Sequence, residues 1–250
     1  MLYEIADRTT VPEIKGFIKS TLIDWEGRVA SIIWLGGCNF RCPFCYATEL
    51  VLNPAKLPTT SFEEVEHFLK EKKDWIDGLV ICGGEPTIHS GLPELIQKFK
   101  KIPVAIKLDT NGTNPDMLKS LLEEELIDYV AMDLKAPLDA PQYDRLAGVK
   151  VDLEKIKQSI DILINGKIDY EFRTTVCPAF LDKDDILKMA QLINGANRYV
   201  LQEFKPGECF DPEMNKLDSY PISELKTMAK EAKKFAANTY VRGESREEIE

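Results

Sequence analysis

The sequence predicts an α/β fold, a partial (β/α)6 barrel built from parallel strands. Short apolar runs recur along the chain, and each is too continuous for a strand with one face in solvent, which favours strands buried on both faces. Segments with helical periodicity separate these runs. Regular alternation of strand and helix implies right-handed crossovers and an active site at the carboxyl ends of the strands.

The predicted strands begin with a hairpin. Residues 15–23 alternate weakly between apolar and polar, residues 24–27 form a turn that ends in a glycine, and residues 29–34 are rich in β-branched side chains. Buried strands are then predicted at residues 78–82, 104–108, 127–132, 170–176 and 199–204, with a further strand at residues 238–241.

Helices are predicted between the strands, at residues 61–75, 92–100, 115–124, 153–164, 184–193 and 222–237. Ser61 followed by Glu64 is a capping-box pattern and supports the start of the first helix. Pro115 directly after Asn114 fits a helix cap followed by the first helical turn.

The chain length is compatible with one compact domain. We predict that residues 1–243 of the 250-residue chain form this domain, with residues 1–28 as an N-terminal hairpin extension packed on it. Residues 244–250 are mostly charged and are expected to be frayed.

The composition limits which binding partners and which cellular compartment are expected for the protein. The chain has 42 acidic against 32 basic residues, a net charge of −10, and no basic patch, so nucleic acid and anionic membranes are not expected partners. The apolar runs are too short to cross a bilayer, and residues 1–10 carry charges where a signal peptide needs an apolar region. We therefore expect a cytoplasmic protein.

Cys38, Cys42 and Cys45 lie on one loop that directly follows the first buried strand. In a reducing compartment, such crowding indicates a metal or cluster site. A [4Fe–4S] cluster has four irons, so three thiolate ligands leave one iron open to a non-protein ligand. The alternatives are buried thiols or a structural zinc site. Zinc would need a fourth ligand, and neither His67 nor His89 has paired spacing to the loop.

The loop resembles that of the radical S-adenosylmethionine (SAM) superfamily, with Phe44 as the aromatic residue before the last cysteine. Over residues 14–205 the chain is more closely similar to the activating enzymes of glycyl-radical enzymes, in particular the activase of anaerobic ribonucleoside-triphosphate reductase. The matching segments are Gly16-Phe17, Leu22-Ile23-Asp24-Trp25 and Gly37-Cys38-Asn39-Phe40-Arg41-Cys42-Pro43.

This resemblance implies a [4Fe–4S] cluster on the three cysteines and SAM as the cofactors. It implies that the enzyme cleaves SAM reductively to methionine and a 5′-deoxyadenosyl radical, with Phe44 near the adenine. It also implies that this radical takes a hydrogen atom from a glycine of a partner enzyme, and that a reduced flavodoxin or ferredoxin supplies the electron.

A second motif, Gly83-Gly84-Glu85-Pro86, ends the second buried strand. Its glycines allow a close approach of the main chain to a ligand, and Glu85 offers an acceptor for an ammonium group. In radical SAM enzymes a similar motif holds the SAM amino group, which implies that role for Gly83, Gly84 and Glu85. Taken alone, such a motif is more often merely a loop, but its position at a strand end, about forty residues after the cysteine loop, indicates ligand binding.

Polar residues end the next two predicted strands. Asp109, Thr110 and Asn111 follow the third, and Asp133 and Lys135 follow the fourth. In the activating enzymes, residues matching Asp109, Thr110 and Asp133 resemble a monovalent-cation site beside the SAM carboxylate, and oxygen ligands suit such a cation. The alternative is an Asp–Lys pair that stabilises the strand ends.

Arg173 lies within the apolar run of the fifth strand and therefore needs a partner. That partner is either a structural carboxylate or a group on the SAM and substrate side. The remaining cysteines, Cys82, Cys177 and Cys209, lack the close spacing of a second cluster, and an auxiliary cluster is not expected.

Two other functions remain open at this point. The same barrel with different loops would serve a radical SAM enzyme that modifies a small molecule or RNA. A protein that only transfers electrons through an iron–sulfur cluster is the alternative from another class, and it would leave the motifs at residues 83–86 and 133–135 without a role.

Overall fold

The computed structural model describes residues 10–242, so the predicted frayed tail at residues 244–250 lies outside the described residues. The chain divides into two compact units. Within the described residues, the first unit comprises residues 10–39, 49–110 and 116–129, and the second comprises residues 40–48, 111–115 and 130–242.

The first unit is built on four strands that are neighbours in chain order. They are β1 (Ile14–Thr21), β2 (Ala30–Leu35), β3 (Gly78–Gly83) and β4 (Ala105–Thr110). β1 pairs antiparallel with β2, and β2, β3 and β4 pair in parallel. The helices here are α1 (Thr48–Leu52), α2 (Phe62–Glu71), α3 (Leu92–Phe99) and α4 (Pro115–Glu123).

The second unit repeats the alternation of strand and helix. Its strands are β5 (Tyr129–Asp133), β6 (Asp169–Val176), β7 (Arg198–Glu203) and β8 (Asn238–Val241), again neighbours in chain order. β6, β7 and β8 are parallel. The helices are α5 (Ala140–Ala147), α6 (Leu153–Asn165), α7 (Lys183–Leu192) and α8 (Ile222–Ala232).

The predicted strands and their carboxyl ends are confirmed, because continuous apolar runs are buried as predicted. In β2, for example, Ala30, Ile33 and Leu35 are fully buried. The Ser61 side chain accepts the Glu64 N–H at 3.1 Å, so the predicted N-cap of α2 is also confirmed.

Two helix predictions differ from the structure at their ends. α2 ends at Glu71 and α8 at Ala232, several residues before the predicted ends. In both cases the chain leaves the helix through short turns, such as the one in which Trp75 N–H donates to the Lys72 carbonyl at 2.8 Å.

Helices α1 and α5 were not predicted. The signals for α5 are present in the sequence: Asp139 caps it by accepting the Gln142 N–H at 3.2 Å, Pro141 lies in the first turn, and Gly148 ends it in the left-handed conformation. Within residues 10–242, none of the helices has the length and apolar character needed to cross a membrane.

Candidate functional site

The loop after β2 begins in the first unit with Gly36, Gly37 and Cys38. Gly37 has a φ of 82°, and its N–H donates to the Leu50 carbonyl at 2.8 Å. His89, for which the sequence predicts no role, donates from Nε2 to the Gly36 carbonyl at 2.9 Å. Burial lowers the pKa of His89, so the ring stays neutral while it holds the start of this loop.

The glycines of the second motif lie against the same loop. A Cβ on Gly84 would be 1.7 Å from the Gly37 carbonyl oxygen and 3.1 Å from the Cys38 Cβ. A Cβ on Gly83, which has a φ of 130°, would be 2.2 Å from the Leu35 carbonyl oxygen. The absence of a side chain at Gly83 and Gly84 therefore lets the protein's own main chain pack closely against them, next to Cys38.

Glu85 is held in a fixed orientation at 1% exposure. Its Oε1 accepts hydrogen bonds from the Thr87 N–H at 3.1 Å, the Thr87 hydroxyl at 2.5 Å and the Thr110 hydroxyl at 2.7 Å. Its own N–H donates to the Gly37 carbonyl at 2.9 Å. The structure thus brings two predicted residues, Glu85 and Thr110, into direct contact within the first unit.

Asp109 has a partner, Lys107, for which the sequence predicts no role. Its Oδ1 lies 3.3 Å from Nζ of Lys107, which is 1% exposed. The Lys107 ammonium also donates to the Asp24 carbonyl and lies 5.7 Å from the centre of the Tyr129 ring. A lysine within the apolar run of β4 was the available signal, because such a charge needs a partner when it is buried.

In the second unit, main-chain hydrogen bonds fix the loop that carries Cys42 and Cys45. The Arg41 N–H donates to the Ala147 carbonyl at 2.7 Å, at the end of α5. The Cys45 N–H donates to the Cys42 carbonyl at 3.0 Å, and the Phe210 N–H donates to the Cys45 carbonyl at 2.9 Å. These bonds position the loop without using the side chains that would bind a ligand.

The thiols suit an iron–sulfur cluster. None of the six cysteines forms a disulfide. Burial raises the pKa of Cys42 to about 11, and the Lys135 charge acts in the opposite direction. Cluster ligation requires the thiolate, so a nearby ammonium favours the form that binds iron. Three cysteines on one loop supply the kind and number of protein ligands that a [4Fe–4S] cluster with one open iron requires. Within residues 10–242, the structure does not group three or more His, Cys, Asp or Glu side chains as a ready metal site.

Asp133, Lys135 and Arg173 form a charged triad in the second unit. Asp133 Oδ2 lies 3.0 Å from Lys135 Nζ, and Oδ1 lies 2.8 Å from Arg173 Nε. Burial alone would raise the pKa of Asp133, but Arg173 and Lys135 outweigh it and lower this pKa to about 2. Lys135 is held charged by the same pairing. The partner that Arg173 needs is therefore a carboxylate, that of Asp133.

The two remaining predicted residues have local partners. Asn111 Oδ1 accepts from the Thr113 N–H at 3.1 Å and from the Thr113 hydroxyl at 2.6 Å, which closes the turn after β4. Phe44 is 6% exposed, and its ring centre lies 6.0 Å from that of Phe180. Both side chains are thus ordered by the protein itself.

Comparison with known proteins identifies relatives along most of the chain. The family model of the radical SAM superfamily matches residues 32–193. A protein of Methanocaldococcus jannaschii, provisionally named a glycyl-radical enzyme activating enzyme, is 32% identical over 92% of this chain and 95% of its own. A Pyrococcus horikoshii protein, provisionally named a GTP 3′,8-cyclase, is 33% identical over 54% of this chain and 44% of its own.

Solved structures show the same fold. Streptococcus suis SuiB bound to S-adenosylmethionine superposes with a TM-score of 0.65 at 15% identity, covering 84% of this chain and 49% of SuiB. TYW1 with a lysine-pyruvate adduct bound gives a TM-score of 0.59 at 21% identity, covering 83% of this chain and 74% of TYW1. These matches confirm the predicted fold class. The family model and the M. jannaschii relative show that the chain belongs to the radical SAM superfamily, whose cofactors are a [4Fe–4S] cluster and SAM.

Proposed function

We propose that Cys38, Cys42 and Cys45 ligate the [4Fe–4S] cluster, and that the enzyme uses it to install a glycyl radical on a partner enzyme. The ligand assignment rests on one observation. Main-chain hydrogen bonds fix the loop that carries the three thiols, and none of these thiols is in a disulfide. When bound, the cluster supplies an electron to the SAM sulfonium, which gives methionine and a 5′-deoxyadenosyl radical. A protein that only transfers electrons would not catalyse this cleavage.

The proposal also assigns roles to the predicted SAM-binding residues. Glu85, fixed by three hydrogen bonds, accepts the SAM ammonium, with Gly83 and Gly84 as neighbours. Lys135 and Arg173 supply positive charge for the SAM carboxylate. Burial of these groups strengthens each electrostatic contact and excludes water.

The remaining predicted contacts also belong to this proposal. Phe44 packs near the adenine, and Asp109, Thr110 and Asn111 line the strand ends beside SAM. A monovalent cation at Asp109, Thr110 and Asp133 stays a prediction. Asp109 forms an ion pair with Lys107 in the first unit. Asp133 forms ion pairs with Lys135 and Arg173 in the second unit.

Lys135→Ala is expected to weaken SAM binding roughly tenfold or more, because a hydrogen bond to a charged group contributes about 1.5–3 kcal/mol. The fold should persist, since Arg173 still pairs with Asp133 in the variant. Isothermal titration of the cluster-loaded enzyme with SAM measures the affinity, and thermal unfolding measures stability.

Lys100→Ala is the matched control, because it also removes an ammonium that lies 3.2 Å from an aspartate, Asp128. It should leave SAM affinity unchanged. If the Lys135→Ala protein has a much lower melting temperature than the parent, yet binds SAM as tightly while it is folded, then Lys135 contributes to stability alone.

A glycine of a partner enzyme is the hydrogen donor that we propose. The support is the M. jannaschii relative, which matches nearly the full length of both chains, together with the resemblance at residues 14–205. The partner would be an anaerobic ribonucleotide reductase, and a reduced flavodoxin or ferredoxin would supply the electron.

With dithionite and SAM, the enzyme is expected to generate an organic radical on a glycyl-radical reductase from the same cell. Electron paramagnetic resonance detects this radical as a doublet, because one α-hydrogen remains on the glycine. Replacing the partner's candidate glycine by alanine should remove the doublet while SAM cleavage continues.

A small-molecule radical SAM reaction is the second candidate, and it is favoured by the matches to GTP 3′,8-cyclases. The assay of radical formation described above distinguishes the two candidate functions. If no partner acquires a radical, yet a nucleoside or another metabolite accelerates SAM cleavage and is converted, the activating role is wrong and the radical SAM chemistry stands.

A further inference from the structure

A segment of the second unit with no role in the proposed chemistry lies along the cysteine loop. Residues 205–211 follow β7, and we call them the strap. The Phe210 N–H donates to the Cys45 carbonyl at 2.9 Å, and the Asp211 N–H donates to the Pro43 carbonyl at 2.8 Å. One end of the strap is therefore joined to the loop through main-chain hydrogen bonds.

Tyr46, directly after Cys45, contacts the other end of the strap. Its hydroxyl accepts the Lys205 N–H at 3.0 Å and donates to the Lys205 carbonyl. Its ring lies near Gly207, where an added Cβ would be 3.6 Å from the ring. One hydroxyl thus bonds to both main-chain polar groups of the first strap residue, and a phenylalanine ring could make neither bond.

A side chain beyond the strap fixes its middle. Asn215 Oδ1 accepts the Gly207 N–H at 3.3 Å and the Cys209 N–H at 3.1 Å. The Asp211 side chain accepts the Glu213 N–H at 2.9 Å, which fixes the turn that leads to Asn215. The strap is therefore held by the cysteine loop at its two ends and by Asn215 between them.

The position of the strap limits access to Cys45. A segment whose N–H donates to the Cys45 carbonyl occupies the space on that side of the residue and excludes water from it. Cys45 is only partly exposed, and Cys209 in the strap is buried. Loops that few hydrogen bonds hold in place open locally without unfolding of the whole domain, so loss of one anchor should increase the open fraction of the strap.

We infer that the strap is a cover for the loop at Cys45, and that Tyr46 is a positioning residue whose hydroxyl keeps this cover closed. Access of a chelator to iron bound at Cys45 is then limited by opening of the strap. The inference rests on the proposed ligand role of Cys45. It assigns Tyr46 to retention of the cluster and not to the cleavage of SAM.

The test is the loss of the cluster to EDTA under anaerobic conditions, followed by visible absorption. Tyr46→Phe keeps the ring but removes both hydroxyl contacts, so it is expected to lose its cluster roughly tenfold faster than the parent. The matched control is Tyr220→Phe, since the Tyr220 hydroxyl also donates to a main-chain carbonyl, that of Leu181, at 3.1 Å. The control should lose its cluster at the parent's rate.

Hydrogen–deuterium exchange distinguishes a local anchor from a general contribution to stability. In Tyr46→Phe, exchange should become faster in peptides that cover residues 205–211 and stay at the parent's level in β6 and β7. Cluster loss at the parent's rate, exchange that rises equally in the strands, or the same acceleration in Tyr220→Phe would overturn the inference.

Asn215→Ala tests the cover without a change in the cysteine loop. It removes the acceptor of the Gly207 and Cys209 N–H groups, so cluster loss should again be faster than in the parent. Asn165→Ala is the control, because it removes an exposed amide that donates to the Asp161 carbonyl on α6. An Asn215→Ala protein that keeps its cluster as long as the parent would refute the cover.

A parent protein without iron would overturn the proposed ligand role of the cysteines, and with it the cover. Iron analysis of the purified parent reads that outcome. The comparisons between variants and an iron-loaded parent read the failure of the cover alone.

Discussion

Replacing Cys38, Cys42 and Cys45 together by alanine is expected to lower the iron content from about four per chain to near zero, because a [4Fe–4S] cluster then has no protein ligands on the loop. The brown colour of the anaerobically purified protein should disappear with the iron. Colorimetric iron analysis and the visible absorption spectrum measure both effects.

Cys177→Ala is the control, since it removes another buried thiol that lies outside the loop. This variant should keep about four irons. A triple variant with the full iron content of the parent would show that the cluster lies elsewhere, and the proposed ligand set would be wrong.

Gly84→Ala adds a single methyl group, and we expect this methyl group to destabilise the first unit more than one added at any other glycine of that unit. Its Cβ would lie 1.7 Å from the Gly37 carbonyl oxygen, which is main chain and cannot rotate away like the end of a side chain. Overpacking of this kind costs about 3 kcal/mol or more, at the upper end of the usual range. The loop at Cys38 must move, so we expect a lower melting temperature together with incomplete iron loading.

Gly207→Ala is the matched control, because the nearest atom to its added Cβ, on the Tyr46 ring, is 3.6 Å away. It should melt and load iron like the parent. If Gly84→Ala behaved in the same way, the tight packing between the second motif and the cysteine loop would be refuted.

The strands and most helices could be predicted from the sequence because their signals are local. The continuous apolar runs of β2 to β7 and the cap at Ser61 are examples. Helix α5 has its own local signals, but its short sequence, which includes a proline, does not stand out by periodicity.

The site is less accessible to sequence reasoning, because its key contacts join distant parts of the chain. The sequence places a glycine at position 84 but does not tell whether a ligand or the main chain of Gly37 approaches it. It shows that Arg173 needs a partner, but the choice of Asp133 depends on which strand ends meet.

The main-chain anchoring of the cysteine loop has a consequence for how this protein can evolve. Hydrogen bonds at Gly37, Arg41 and Cys45 use only peptide groups, which every residue except proline provides. Mutations that exchange the loop's side chains at positions other than the cysteines and Gly37, whose φ of 82° favours glycine, therefore leave these anchors in place. The exposed side chains of such a loop can therefore change in small inherited steps while its main chain keeps the same course.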